Sequence, residues 1–176
     1  MNEILLETDR LILRKVTLDD IPLLFKMEST PESNEYTGEV VSKSIEELEE
    51  KIKGSILKDY RVVGFGRLAV IIKETNTFIG WAGLKYLPEF DQVDLGYRFL
   101  PEFWGKGYGT EASIELIRYG FEDLNLDRII ALAMPENKAS TRIMEKAGMA
   151  FDKTAPYEDG EPDAIWYFID RSMIQG

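Results

Sequence analysis

Leu11 and Leu13 alternate with polar neighbours as in a half-buried strand, and Thr17 followed by Asp20 has the spacing of a capping box, which predicts a helix through about Met27. Ser44 and Glu47 repeat that spacing ahead of Ile45, Leu48, Ile52, Ile56 and Leu57, whose period lays one apolar stripe along a second helix. From Gly64 to Phe99 the texture changes to the β-branched and aromatic runs GRLAVII, FIGWAGLKY and QVDLGYRF, separated by the turn-like KETNT and LPEFD. This part reads as an antiparallel meander. Beyond Gly109, Ile114, Ile117, Tyr119 and Phe121 lie in a helical stretch. RIIALAM then reads as a buried strand, Ala139 to Ala147 as a helix and AIWYFI as a last strand. The expected order is β-α-α-β-β-β-α-β-α-β, a mixed α/β chain folded as one twisted sheet with helices on both faces.

Glycines and prolines are dispersed, and neither a repeat nor a low-complexity stretch marks a boundary, so residues 1–176 are read as a single domain. A net charge of −11 disfavours nucleic acid as a partner. The chain contains no cysteine and no histidine, so thiolate metal sites, cysteine nucleophiles and the usual general base are all missing, and no metal is expected. Chemistry falls to carboxylates, hydroxyls, lysine and backbone. The acidic start MNEILLETDR does not look like a secretory signal, and the apolar runs stop short of the roughly 18 residues that span a bilayer, so the expectation is a cytoplasmic protein with no membrane partner.

The most informative stretch is PEFWGKGYGTEA, Pro101 to Ala112, where Gly105, Gly107 and Gly109 fall between a strand and a helix. Such a turn allows positive φ and close backbone approach, and the first-turn N–H groups of the following helix then face outward with the positive end of its dipole. The result is an anion cradle. It lacks the Gly-Lys-Ser/Thr of a Walker loop and the last spacing of a dinucleotide fingerprint. A tight connection is the bland alternative.

Taken with PENKASTRIMEKAGM, LETDRLILR, IGWAGL and VDLGYRFLPEFWGKGYGTEA, the segment resembles the GNAT superfamily of N-acetyltransferases, and more narrowly its branch of ribosomal-protein N-terminal (Rim-type) acetyltransferases. The resemblance implies a mostly antiparallel sheet whose strands around Phe99 and Met134 splay into a V that holds acetyl-coenzyme A. It also implies that the strand backbone at Tyr97, Arg98 and Phe99 binds the pantetheine arm and that the loop Gly105, Lys106, Gly107, Tyr108, Gly109 and Thr110 binds the pyrophosphate. Asn137 matches an asparagine that reaches the cofactor, while serving equally well as a helix N-cap. Phe99 N–H would hold the oxyanion.

Two departures from the family pattern stand out. Trp104 occupies a place usually held by Gln or Arg, and Met144 stands where many members have the tyrosine that protonates the leaving thiolate. A thioether donates nothing. Ser140, one turn earlier, is the substitute that the resemblance implies, against the plainer role of bonding back to the first-turn backbone. The attacking amine must be uncharged, and with no histidine the candidate base is Asp94, which could instead be structural. Glu111 is read as favourable charge at a helix start. Tyr36, Trp81, Tyr86 and Phe90 are aromatic candidates for the acceptor pocket or for the core. The expected activity is direct acetyl transfer to a primary amine, either a small cationic molecule or a peptide N-terminus. The alternative is a non-catalytic acyl-CoA sensing module, and a homodimer is left open.

Overall fold

The computed structural model describes residues 3–174. Its strands are β1 (Ile4–Glu7), β2 (Leu11–Lys15), β3 (Arg67–Ile72), β4 (Thr77–Leu87), β5 (Gln92–Phe99), β6 (Arg128–Ala133), β7 (Ala150–Pro156) and β8 (Asp163–Asp170). The helices are α1 (Ile21–Glu28), α2 (Pro31–Asn34), α3 (Ile45–Gly54), α4 (Ile56–Val62), α5 (Tyr108–Glu122) and α6 (Lys138–Lys146). All eight strands join one sheet in the order β1-β2-β3-β4-β5-β6-β8-β7, antiparallel everywhere except between β5 and β6.

Helices cover both faces, which is why β3 reads as an unbroken apolar run. Leu68, Val70 and Ile72 pack with Leu116, Ile117 and Phe121 of α5 and Met144 of α6, while Ala69 and Ile71 pack with Ile21, Leu24 and Met27 of α1 and Leu48 and Ile52 of α3. Strands buried on both sides lose the period of two. A third cluster, Leu87, Ile130 and Trp166 with Phe90, Leu132, Tyr157 and Phe168, occupies the face of β6 and β8 that α5 and α6 leave bare. The rings of Tyr157 and Trp166 both meet that of Phe90 edge-on at 5.1 Å.

The structure adds two strands to the six expected. Both β1 and β7 are sheet edges, and β7 is largely exposed, so neither carries a clear apolar alternation. The predicted second helix is two, broken at Ser55, whose φ of −121° and ψ of −90° lie outside the helical region. At the first helix only half of the capping box is made: Asp20 Oδ2 accepts Thr17 N–H at 2.9 Å, while Thr17 Oγ1 has no partner. The same Asp20 carboxylate is held by a bidentate ion pair with Arg14, at 2.8 and 2.6 Å.

Candidate active site

The parallel ladder between β5 and β6 has a single registered pair, Asp94 with Ile130, after which the strands separate. The separation opens a V toward Phe99 and Ala133. Leu100 N–H bonds Ile79 O at 2.9 Å, in register with the pairs Arg98–Trp81 and Gly96–Gly83. Backbone groups along a strand alternate in direction, so those of Arg98 and Gly96 face β4, whereas those of Tyr97 and Phe99 face the V. Tyr97 and Phe99 thus turn backbone groups without a ladder partner to the gap, the Phe99 carbonyl being taken by Trp104 Nε1. Arg98 does not: its backbone pairs with β4, and its side chain lies on the opposite face. There Arg98 Nε donates to Ser33 O at 3.0 Å, another nitrogen bonds Asn34 Oδ1, and Glu39 lies 3.6 Å away.

After β5 the chain makes one 3₁₀ turn, Pro101 to Phe103, and enters the glycine-rich loop. Trp104 Nε1 donates to Phe99 O at 2.8 Å, so the residue that departs from the family pattern braces the strand end from which the loop springs. Gly105 and Gly107 have φ of +69° and +82°, and Gly107 is the N-cap of α5. Glu111 N–H bonds Gly107 O at 3.0 Å, and among the described residues the N–H groups of Gly105 through Thr110 have no acceptor. These are open donors at a helix start, exposed at Gly105, Lys106 and Gly107 and more enclosed from Tyr108 to Thr110, and that donor set fits a pyrophosphate.

Sequence reasoning missed what holds the cradle. Arg10, from the β1–β2 turn, pairs with Glu111 at 2.6 Å, donates to Lys106 O at 2.9 Å and lies 4.5 Å over the Tyr108 ring. Glu111 also accepts from Arg10 N–H at 2.9 Å and Thr8 Oγ1 at 2.5 Å. Burial alone would push the Glu111 carboxyl up, but these bonds together hold it below the usual range. The sequence signal for the clasp is Arg10 within LETDRLILR, one of the segments that carry the family resemblance.

Across the V, Asn137 caps α6, its Oδ1 accepting Ser140 N–H at 3.1 Å. Ser140 is buried, and its Oγ lies 2.8 Å from the Tyr97 hydroxyl, which also reaches Ser140 O at 3.0 Å. Met144 is in the core at 1% exposure. Asp94, at the vertex, pairs through Oδ2 with Arg67 at 2.7 Å, and Oδ1 accepts no hydrogen bond among the described residues. Burial pushes the Asp94 carboxyl up, and Arg67 only partly opposes the shift. The Arg67 guanidinium lies flat over Gly96, where a Cβ would stand 2.6 Å from Nη2, and 5.0 Å from the Trp81 ring centre. Of the aromatic candidates, Trp81 thus backs Arg67 and Phe90 belongs to the ring cluster, while Tyr86 bonds Asp91 at 2.9 Å beside a cavity of about 760 Å³ near the closed end of the V. Tyr36 is exposed beside Glu35 and Glu136.

Residues 10–150 match the acetyltransferase (GNAT) domain family. The chain belongs to that family. It is 34% identical to the uncharacterized N-acetyltransferase p20 of Bacillus licheniformis over 89% of this chain and 86% of that one. A crystal structure of a GNAT-family acetyltransferase from Bacillus anthracis superposes with a TM-score of 0.79 at 28% identity, over 94% of this chain and 98% of that one. The spermidine N-acetyltransferase of Vibrio cholerae, solved with CoA and spermine, shares the fold with a TM-score of 0.79 at 22% identity, over 96% of this chain and 100% of that one. Membership makes the chain an acyltransferase of the N-acetyltransferase class. Among the described residues no helix is long and apolar enough to cross a membrane, and no cluster of acidic side chains could hold a metal ion.

Proposed function

We propose that the chain acts as one domain that binds acetyl-CoA in the V and passes its acetyl group directly to a primary amine. The observation that carries this reading is the divergence of β5 from β6 beyond Asp94, followed directly by unpaired, outward-facing N–H groups at the start of α5. Acetyl-CoA supplies an activated thioester carbonyl. Tyr97 and Phe99 bind its amide-bearing arm along the open ladder edge, and Gly105, Gly107, Tyr108, Gly109 and Thr110 hold the pyrophosphate, with Lys106 adding charge at the rim. Asn137 sets the start of α6 against the same gap. Phe99 N–H stabilises the oxyanion, a role for which a fixed backbone donor needs no reorganisation.

Asp94 takes the amine proton. Burial makes its carboxylate a stronger base than an exposed aspartate, and the free Oδ1 is the atom that receives the proton directly or through one water. Ser140 donates a hydrogen bond to the sulfur as the carbon–sulfur bond breaks. A thiol of pKa ~8.5 is a moderate leaving group, so one hydrogen bond is adequate assistance. The net charge of −11 favours a cationic amine or a peptide N-terminus as acceptor. Incubation with acetyl-CoA and a panel of polyamines, amino compounds and peptides, reading free thiol, tests the assignment. Amine-dependent thiol release is expected, and binding without release from any amine would reduce the chain to a sensing module.

A further inference from the structure

We propose that Tyr97 is a positioning residue for Ser140, the two hydroxyls forming a relay that spans the V and keeps the serine proton directed at the departing sulfur. The inference rests on the acetyl-transfer reading above. Its observations are the 2.8 Å separation of the Tyr97 and Ser140 hydroxyls, the 3.0 Å contact from the Tyr97 hydroxyl to Ser140 O, and the burial of Ser140. Tyr97 sits on the strand that would hold the thioester arm and Ser140 at the start of the helix opposite, so the pair joins the two walls of the gap at one point.

The Tyr97 hydroxyl has one proton and two acceptors within reach. Directed at Ser140 O, it leaves the tyrosine oxygen to accept from Ser140, and the serine proton faces away from the gap. Directed at Ser140 Oγ, it fills a serine lone pair and frees the serine proton to face the sulfur. As the nitrogen–carbon bond forms and the carbon–sulfur bond breaks, the electron pair moves onto sulfur and the second arrangement is favoured. Ser140 then donates to sulfur while Tyr97 donates to Ser140, and each donor polarises the next. No proton leaves Tyr97, and the amine proton departs separately to Asp94. Burial keeps the phenol protonated throughout. The family tyrosine missing at position 144 is thus replaced by a serine and a tyrosine from separate elements.

Binding of free CoA provides a test that needs no acceptor. The thiol of bound CoA is titrated by its thiolate ultraviolet absorbance in the unmodified protein, Tyr97→Phe, Ser140→Ala and the double variant, with affinity measured by calorimetry in each. In Tyr97→Phe the bound thiol should titrate about 0.4 to 1.1 pH units higher at unchanged affinity. Once an acceptor is known, its kcat should fall about 2- to 12-fold with the KM for acetyl-CoA unmoved. The double variant should match Ser140→Ala, because Tyr97 acts only through the serine. An unmoved thiol titration in Tyr97→Phe, additive losses in the double variant, or tighter CoA binding without a kinetic change would each overturn the relay, the last by making the pair a latch. If Tyr97→Phe does not fold, Ser140→Thr serves instead, since a retained hydroxyl should keep the titration near that of the unmodified protein, and a shift as large as that of Ser140→Ala would count against the relay. Failure of the unmodified protein to bind CoA would remove the acetyl-transfer reading itself.

Discussion

Met144 shows how a position can leave a family's catalytic pattern without leaving a gap. Its side chain is 1% exposed, inside the core cluster that also holds Leu116, Ala131 and Tyr167, so restoring a tyrosine there would insert a larger ring into filled space. Overpacking of this kind costs about 1–3 kcal/mol. Met144→Tyr is therefore expected to lower the unfolding free energy by that amount without supplying a working acid, as urea denaturation and turnover would show together. Asp94 is the other residue whose environment sets its chemistry. A base works when deprotonated, and a carboxyl raised by burial remains protonated at pH values where an exposed aspartate has already ionised. Turnover should accordingly fall on acidification through a pKa above the ordinary aspartate value, and Asp94→Asn should remove that limb along with on the order of 10²-fold of kcat. A variant that kept the same acid limb would move the base to another group.

At the scale of elements, the start of α5 depends on one backbone conformation and one side-chain clasp. Gly107 has φ of +82°, which a β-branched residue adopts only at a cost of about 1–3 kcal/mol. A Cβ there would also meet Arg10 Nη2 at 3.2 Å. Gly107→Val should thus weaken acetyl-CoA binding at least about 10-fold in calorimetry by displacing the N–H groups. Glu111→Gln should do so more mildly, because it loosens Arg10 while leaving the loop intact. The loop and both helices around it were legible in the sequence because glycine spacing and a 3.6-residue period are local signals. The clasp was not, since Arg10 and Glu111 lie 101 residues apart and nothing local joins them. Edge strands β1 and β7 were hidden for a different reason: a strand with one neighbour buries little, and burial is what writes an alternating pattern. The Tyr97–Ser140 contact and the Arg67 partner of Asp94 likewise come from the fold alone, although each of those four residues sits in a segment whose element type could be read from the sequence.

At the scale of the whole molecule, the opened ladder raises a mechanical question, because the sheet is nearly cut in two at the place proposed for the thioester. Strands β1 to β5 and strands β6 to β8 share one registered backbone pair. On one face α5 lies against β4, β5 and β6 and so bridges the halves, with α6 packed on α5 and β6. On the other face, among the described residues, no helix covers β6 and β8, and the bridge is made by Leu87 of β4, clustered with Ile130 and Trp166, together with the ring of Phe90, from the β4–β5 turn, set edge-on against Tyr157 and Trp166 at interplanar angles of 86° and 89°. Edge-to-face pairs contribute about 0.5–1.5 kcal/mol each beyond the area they bury. Phe90 is only half-buried, so Phe90→Ala should destabilise the protein by about 2–3 kcal/mol, below the roughly 3–5 kcal/mol of a fully buried large-to-small aromatic change. If the ring clasp also fixes the opening of the V, the same variant should bind CoA more weakly and gain less thermal stability from saturating CoA than the unmodified protein does. Equal stabilisation by CoA in both proteins, alongside a clear loss of intrinsic stability, would show that the α5 and α6 side alone sets the angle between the halves.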